Sequence, residues 1–212
     1  MFGLPNGATV ALGTTIGSSI AYTAISNANP AVVTSTAHGQ ANGDMLIVQS
    51  GWPRINNRIF RVAGVTANTF NLEGMDTTDT LAFPVGAGIG SVQKITAFTQ
   101  ITQVQNLTAS GGEMQFTDVS FLENNFKTQI PTQSSAQTMT IEIADDAASA
   151  GQIALKAADL KRAMVPLRLA LPTGASLYYY GFMSFNETPV VTKDQLMVVK
   201  ATFSLAAPPV RY

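Results

Sequence analysis

Residues 137–162 read QTMTIEIADDAASAGQIALKAADLKR, and the change of period inside them decides the fold class. Met139, Ile141 and Ile143 alternate with Thr138, Thr140 and Glu142, the pattern of a strand with one buried and one wet face. From Asp145 the pattern turns helical. Asp145 and Asp146 are the N-cap candidates, and Lys161 and Arg162 close the segment, so charge complements the macrodipole at both ends. Ile153, Ala157 and Leu160 fall at i, i+4 and i+7, which predicts one apolar stripe packed on a sheet.

Downstream, MVPLRLALP (164–172), ASLYYYGFMSFN (175–186) and DQLMVVKATFSLA (194–206) read as three strands. The PTG at 172–174 marks a hairpin turn. Leu177, Tyr179, Met183 and Phe185 lie on one side of the middle strand, and Tyr178, Tyr180 and Phe182 on the other. A strand apolar on both faces needs a cover on each, the helix on one and a second sheet or a neighbouring subunit on the other. The tail APPVRY is expected to lie as an arm.

Upstream, turn formers punctuate short β-branched runs. Strands are predicted at 8–18, 20–25, 31–36, 44–49, 58–66 and 69–73. A loop follows over 74–90, then a longer strand over about 91–107. Residues 108–135 form a long polar stretch with a short alternating piece, EMQFTDVSFL, inside it, and a loop of that length is usually functional or ordered by a partner. No long-period repeat is visible.

Composition narrows the function classes. The chain has 212 residues, of which 46% are apolar and only 12% charged. That is about half the roughly 25% charge usual for a soluble domain, and it predicts that much of the surface is covered by copies of the chain or by partners. Net charge is −1 and the densest basic run is Lys161-Arg162, so sequence-specific nucleic-acid binding is not expected. The absence of cysteine excludes disulfides and thiolate chemistry. The N-terminus has no basic region or continuous apolar run typical of a signal peptide. No stretch approaches the ~18 apolar residues that span a bilayer, and a soluble, non-secreted chain is expected.

No constellation of an active site emerges, so the chain is not expected to be an enzyme, nor to hold a metal or cofactor. His38, the single histidine, sits in TAHGQANGD (36–44) and reads as a turn residue; it lacks the partners of a catalytic triad or a zinc site. GAGIG (86–90) is followed by a strand-like segment, whereas a dinucleotide loop opens a helix. Asp145 and Asp146 suit a helix cap better than an acid–base pair. Tyr178, Tyr179 and Tyr180 cannot share one face of a strand, which favours packing over a sugar platform.

The order of elements does carry a resemblance. An acidic TDVS (117–120) is followed by a polar loop containing FKTQIP (126–131), a strand and a short helix. A hairpin tipped by PTG comes next, then GFMSF (181–185) and a last strand ending near APP (207–209). This resembles the major tail tube proteins of lambda-type long-tailed phages, and ALGTTIGSS (11–19) resembles that family's first strand. Residues 21–91 depart from it. ISNANPAVVTSTAHGQANGD (25–44) and INNRIFRVAGVTANTFNLEG (55–74) resemble a small β module found inside phage structural proteins, which would place His38 in its first hairpin turn.

The resemblance implies a mainly β (α+β) protein. A discontinuous tail-tube β-sandwich or barrel (1–20 and 92–212) would carry one helix on its sheet, with an all-β barrel-like module inserted at 21–91. It implies a structural virion protein, assembled in the host cytoplasm into the phage tail. Copies would form hexameric rings that stack into a tube and convey DNA, with a tape measure protein and a tail terminator as further partners. The loop at 108–135 would bridge rings, with Glu113, Asp118, Phe121, Glu123, Phe126, Lys127 and Ile130 as contact candidates. The inserted module would project from the outer wall. A DNA conduit should be non-adhesive, because each lysine or arginine on phosphate adds attraction; the wet face bearing Thr138, Thr140 and Glu142 is therefore expected to line the lumen. Two alternatives stand beside this one: a tail terminator or connector that makes a single ring, and a carbohydrate-binding decoration protein using exposed aromatics of the module, Trp52 among them.

Overall fold

Nearly every strand of the chain joins one continuous antiparallel sheet, which bends around two separate cores. The computed structural model describes residues 6–123 and 125–212. The N-terminal half contributes β1 (Thr9–Ile16), β2 (Ile20–Tyr22), β3 (Ala24–Ile25), β4 (Ala31–Thr34), β5 (Met45–Ser50), β6 (Arg58–Ala63) and β7 (Thr69–Leu72). After the loop come β8 (Gly90–Ile101), β9 (Val104–Ser110), β10 (Met114–Val119), β11 (Thr128–Ser134) and β12 (Thr138–Ala144). The helix α1 (Ala150–Lys161) precedes β13 (Met164–Ala170), β14 (Ser176–Val190), β15 (Val198–Leu205) and β16 (Val210–Arg211). The main path runs β3-β4-β7-β6-β5-β8-β1-β13-β14-β15-β12-β9, with β2 added on β8 and β16 on β14.

The strand β8 belongs to both halves. Its first residues pair with β2 and β5, from Gly90↔Tyr22 to Lys94↔Leu46, and its later ones with β1, from Ile95↔Ile16 to Ile101↔Val10. The long strand expected over 91–107 is two strands. The chain turns at Thr102–Gln103, where Gln103 takes φ 60° and its carbonyl accepts the Ala144 N–H at 3.1 Å. That turn carries the chain out of one layer and starts β9 in the other.

The larger core gathers Val10, Leu12, Ile101, Ile141, Ile143, Leu167, Tyr179, Met183, Val199 and Phe203 around Leu155 of the helix. Every strand from β8 to β12 along the sheet path feeds this one cluster, so this stretch of the sheet curls until β8 and β1 face β12 across it, the β-sandwich or barrel expected. The smaller core packs Tyr22, Val33, Leu46, Phe60, Phe70 and Leu72 from the strands before β8, with Trp52 from the turn after β5. Between them, Met45, Ile47, Ile59 and Ile95 meet Tyr180. The two-faced strand is thus covered twice. Tyr179 and Met183 enter the larger core, while Tyr180 and Tyr178 meet β5, β6 and the chain's last residue.

The helix corrects two expectations. Ser149, not Asp145 or Asp146, is the N-cap: its backbone is extended and its hydroxyl accepts the Gln152 N–H at 3.3 Å. Asp146 instead closes a turn by accepting the Ala148 N–H at 3.3 Å, as short polar side chains do when they compete with helix formation. The stripe Ile153, Ala157, Leu160 faces outward, with Ile153 57% and Leu160 73% exposed. The packed face is Gly151, Leu155 and Ala158, which repeats at the same i, i+4, i+7 spacing. Gly151 selects it: a Cβ there would lie 2.9 Å from the Ile101 Cα, so only glycine lets the helix settle on β8.

The tail is not a loose arm either. Leu177↔Arg211 and Tyr178↔Val210 pair it to β14. Tyr212 then reaches the smaller half, where its hydroxyl accepts the Arg61 N–H at 2.9 Å and donates to the Glu73 carbonyl at 3.3 Å. The Arg61 guanidinium lies 4.6 Å over the Tyr212 ring and is forked onto Glu73. Burial, above all, pushes the Tyr212 phenol up from its ordinary value.

Two stability measurements follow from these contacts. Leu155→Ala should cost about 2–5 kcal/mol by calorimetry or denaturant titration, whereas Leu160→Ala should stay within about 0.5 kcal/mol; the reverse order would return the packed face to the outward stripe. Tyr212→Phe leaves the Arg61 N–H without its partner and should cost about 1–3 kcal/mol, with the ring contacts kept.

Candidate assembly interface

The strands β9, β12, β15 and the second half of β14 turn one face to the large core and the other to solvent. Their registers stack the outward residues into three rows: Ser110, Thr138, Ser204 and Phe182; Thr108, Thr140, Thr202 and Ser184; Asn106, Glu142, Lys200 and Asn186. Thr138, Thr140 and Glu142 therefore share one wet face, as their alternation requires. Neighbouring hydroxyls bond across it, Ser110 to Thr138 at 2.9 Å. The only ionisable groups in the rows are Glu142 and Lys200, paired at 2.8 Å. The Lys200 ammonium, then Asn106, holds the Glu142 carboxyl below the usual carboxylate range. The face is polar, and its one pair of charges cancels.

This four-stranded face has open edges. Among the described residues β9 pairs only with β12 and ends the sheet path. On the other side β13 pairs with β14 only as far as Met164↔Phe182. Beyond that point Asp159 accepts the Phe185 N–H at 3.3 Å, and residues 186–190 have no ladder partner on that side among the described residues.

The stretch at 108–135 is not an irregular loop. The β9–β12 ladder runs on, through a Ser135 N–H to Glu113 carbonyl bond of 2.8 Å, into a separate two-stranded ribbon of β10 and β11. Both of its faces are exposed, so the alternation in EMQFTDVSFL does not mark a buried side. Glu113 and Asp118 lie at its base and on β10, Ile130 on β11, and Phe121, Glu123, Phe126 and Lys127 around its tip, all exposed. Asp118 accepts from Gln129 across the ribbon at 2.9 Å. Gly111 and Gly112, at φ 81° and 83°, make the bend at its root, and a Cβ on Gly111 would run into the Ala136 carbonyl.

The other candidates are structural. His38 connects β4 to β5, which are not neighbours in the sheet, so the expected hairpin turn is a crossover, largely exposed but with His38 and Gln40 buried. Its Nδ1 accepts the Gln40 N–H at 3.0 Å, its Nε2 then donates to the Thr66 carbonyl at 3.1 Å, and the ring meets Phe70 edge-on. Trp52 is buried and donates to the Pro84 carbonyl at 2.8 Å, so it offers no sugar-stacking surface. The GAGIG turn leads directly into β8, with no helix after it. Among the described residues no group of three or more metal-ligating side chains converges, and no helix is long and apolar enough to cross a membrane.

A model of the phage tail tube protein family (TTP) matches residues 50–212, more than half of the chain. The chain belongs to the phage tail tube protein family. Its place is thus that of a structural protein of the virion tail. The match begins in β5, inside the smaller half, and takes in the polar face, the ribbon and the helix. Among solved structures, the tail of an empty GTA particle with C6 symmetry aligns at a TM-score of 0.42 and 9% identity, over 54% of this chain and 86% of that one. No curated protein matches the chain.

The glycine bend gives a direct test of the ribbon's attachment. Gly111→Val should strip hydrogen-exchange protection from residues 114–119 and 128–134 while leaving β1, β13 and β15 protected, because L side chains resist that φ. Unchanged protection of the ribbon would show that the bend is not required.

Proposed function

We propose that the chain is the major tail tube subunit, that six copies close into a ring through their open edges, and that the three-row polar face lines the bore through which DNA passes. The observation that carries this is the face itself: four strands, hydroxyls and amides in register with Phe182 at one corner, one self-cancelled ion pair, and an open edge on each side. An unpaired edge is a template for another strand, and β9 of one copy against the free part of β14 in the next continues the sheet around a ring. The two edges differ, so the contact is head-to-tail and generates a ring or a helix rather than a two-fold dimer. Six copies is the number that the family resemblance implies.

The curl of the sheet supports the same assignment. The β8–β1 side and the β12 side of the curled stretch face each other across the large core, so their outer faces point away from one another. The smaller half packs against β14 at Tyr180 and Tyr178, on the same face of the strand as Phe182 but on the half that pairs with β13 rather than the half that carries the polar rows. In this reading residues 21–91, the inserted module, lie on the outer wall, as the family resemblance implies, and leave the bore clear. The ribbon leaves the Ser110–Thr138 end of the face along the strands, the direction in which a bridge between stacked rings must run. Tape measure and terminator proteins would meet such a tube at its core and its end.

Electron microscopy of the concentrated protein should show hollow tubes with a regular axial repeat. Single rings that never stack would move the assignment to a terminator or connector. In a phage carrying Thr140→Lys and Thr202→Lys, tails of normal length should form but infective titre should fall by about tenfold or more, since added cations grip phosphate without regard to sequence. An unchanged titre would take the polar face out of the bore.

A further inference from the structure

We propose that the tip of the β10–β11 ribbon seats in the cleft beside the start of α1 on a copy in the adjoining ring. This rests on the stacked-ring reading above and names the receiving site that it leaves open. The cleft has a volume of about 250 Å³ and is lined by Asp145, Ile153, Lys156, Phe185, Glu187 and Val199. Val190, Val191, Leu196 and Met197 are exposed around the same end of β14 and β15. Ile153 and Leu160 extend the apolar surface along the outward face of the helix. Among the described residues none covers this surface.

The ribbon tip is its counterpart. Phe121, Leu122 and Phe126 are all largely solvent-exposed, with Phe126 80% exposed, and Met114 and Phe116 continue the apolar character along β10. An exposed apolar cluster of this kind marks an interaction site.

Topology says which copy must receive it. The ribbon emerges at the Thr138 end of β12, and the cleft opens at the Ala144 end, beside Val198 and Val199 of β15. The two surfaces sit at opposite poles of the same strands, ~20 Å apart for a strand of this length. A chain cannot fold its own tip back across that distance while β10 and β11 remain extended. Identical rings stacked head-to-tail bring one pole of each copy against the opposite pole of another.

Charge agrees with the fit. Lys156 is paired with Glu187 at 2.9 Å, which leaves the Asp145 carboxylate as the net charge of the rim. Lys127 stands next to Phe126 at the tip, where it can meet that carboxylate.

The chain has no cysteine, so introduced thiols report only their own contact. Assembled protein carrying Leu122→Cys and Ile153→Cys together, then oxidised, should give a non-reducing ladder running past six copies, because each link joins one ring to the next. Each single variant should give none. A ladder that stops at six would put the contact within one ring and overturn the proposal. Tubes seen by microscopy in the same sample with both thiols free would also overturn it, while leaving the tube reading intact. Failure of the unsubstituted protein to form tubes would overturn the stacked-ring reading and the cleft assignment with it. As a second readout, Phe126→Asp and Ile153→Asp, both at exposed positions, should each yield rings that do not stack; tubes of normal length from Ile153→Asp would contradict the cleft assignment.

Discussion

The architecture depends on β8 serving two cores at once. Its first residues pair with β2 and β5, its later ones with β1, and Val92 and Ile101 are buried in different clusters. Two hydrophobic units that share a strand share its register as well. A one-residue slip would expel the apolar side chains of both halves at once. The close approach of Gly151 to Ile101 fixes the end of that strand and starts the turn into β9. The Tyr212 contacts with Arg61 and Glu73 tie the halves a second time, far from β8 in sequence. These constraints hold the smaller half in one orientation against the larger.

From this frame the polar face acquires its meaning. A sheet curled around one core has two outer sides. One is largely covered by β5, β6 and the chain's tail, with Tyr180, Met45 and Ile59 filling the gap. The other carries rows of threonine, serine and asparagine with a single compensated ion pair. A free-standing globule normally invests its surface with charge; this chain has 12% charged residues overall and leaves its exposed sheet nearly neutral. Neutral polarity on a large exposed sheet suits a surface that must stay wet and must not hold on to a polyanion. The same economy of charge suits surfaces destined to be covered by identical copies.

Much of this was legible in the sequence, and the exceptions have physical causes. The alternation of Met139, Ile141 and Ile143 gave the strand and its buried face, and PTG gave the hairpin between β13 and β14. The packed face of the helix was not legible, because two stripes share one spacing. Hydrophobicity favours Ile153 and Leu160, but closeness of approach favours Gly151 with Leu155 and Ala158. The break at Thr102–Gln103 carries no glycine or proline, so composition could not announce it. The alternating piece EMQFTDVSFL hinted at the first strand of the ribbon, but its pairing with β11 was not legible, because both faces are wet and TQIPTQS carries no alternation. His38 read as an ordinary turn residue, whereas its burial depends on Thr66 and Phe70, partners that only the folded chain brings near. The face shared by Thr138, Thr140 and Glu142 followed from one strand, whereas its extension over β9, β15 and β14 needed the register.

The central claim is that the rows containing Thr140 and Glu142 look into the bore and that β9 of one copy continues onto β14 of the next. A helical reconstruction of the assembled tube at side-chain resolution tests it most directly. The account predicts Thr108, Thr140 and Thr202 on the lumen wall, β9 in ladder contact with residues 186–190 of a neighbour, and the β4–β7 half outside. The same residues on the outer surface, or β9 left unpaired in a closed ring, would contradict it.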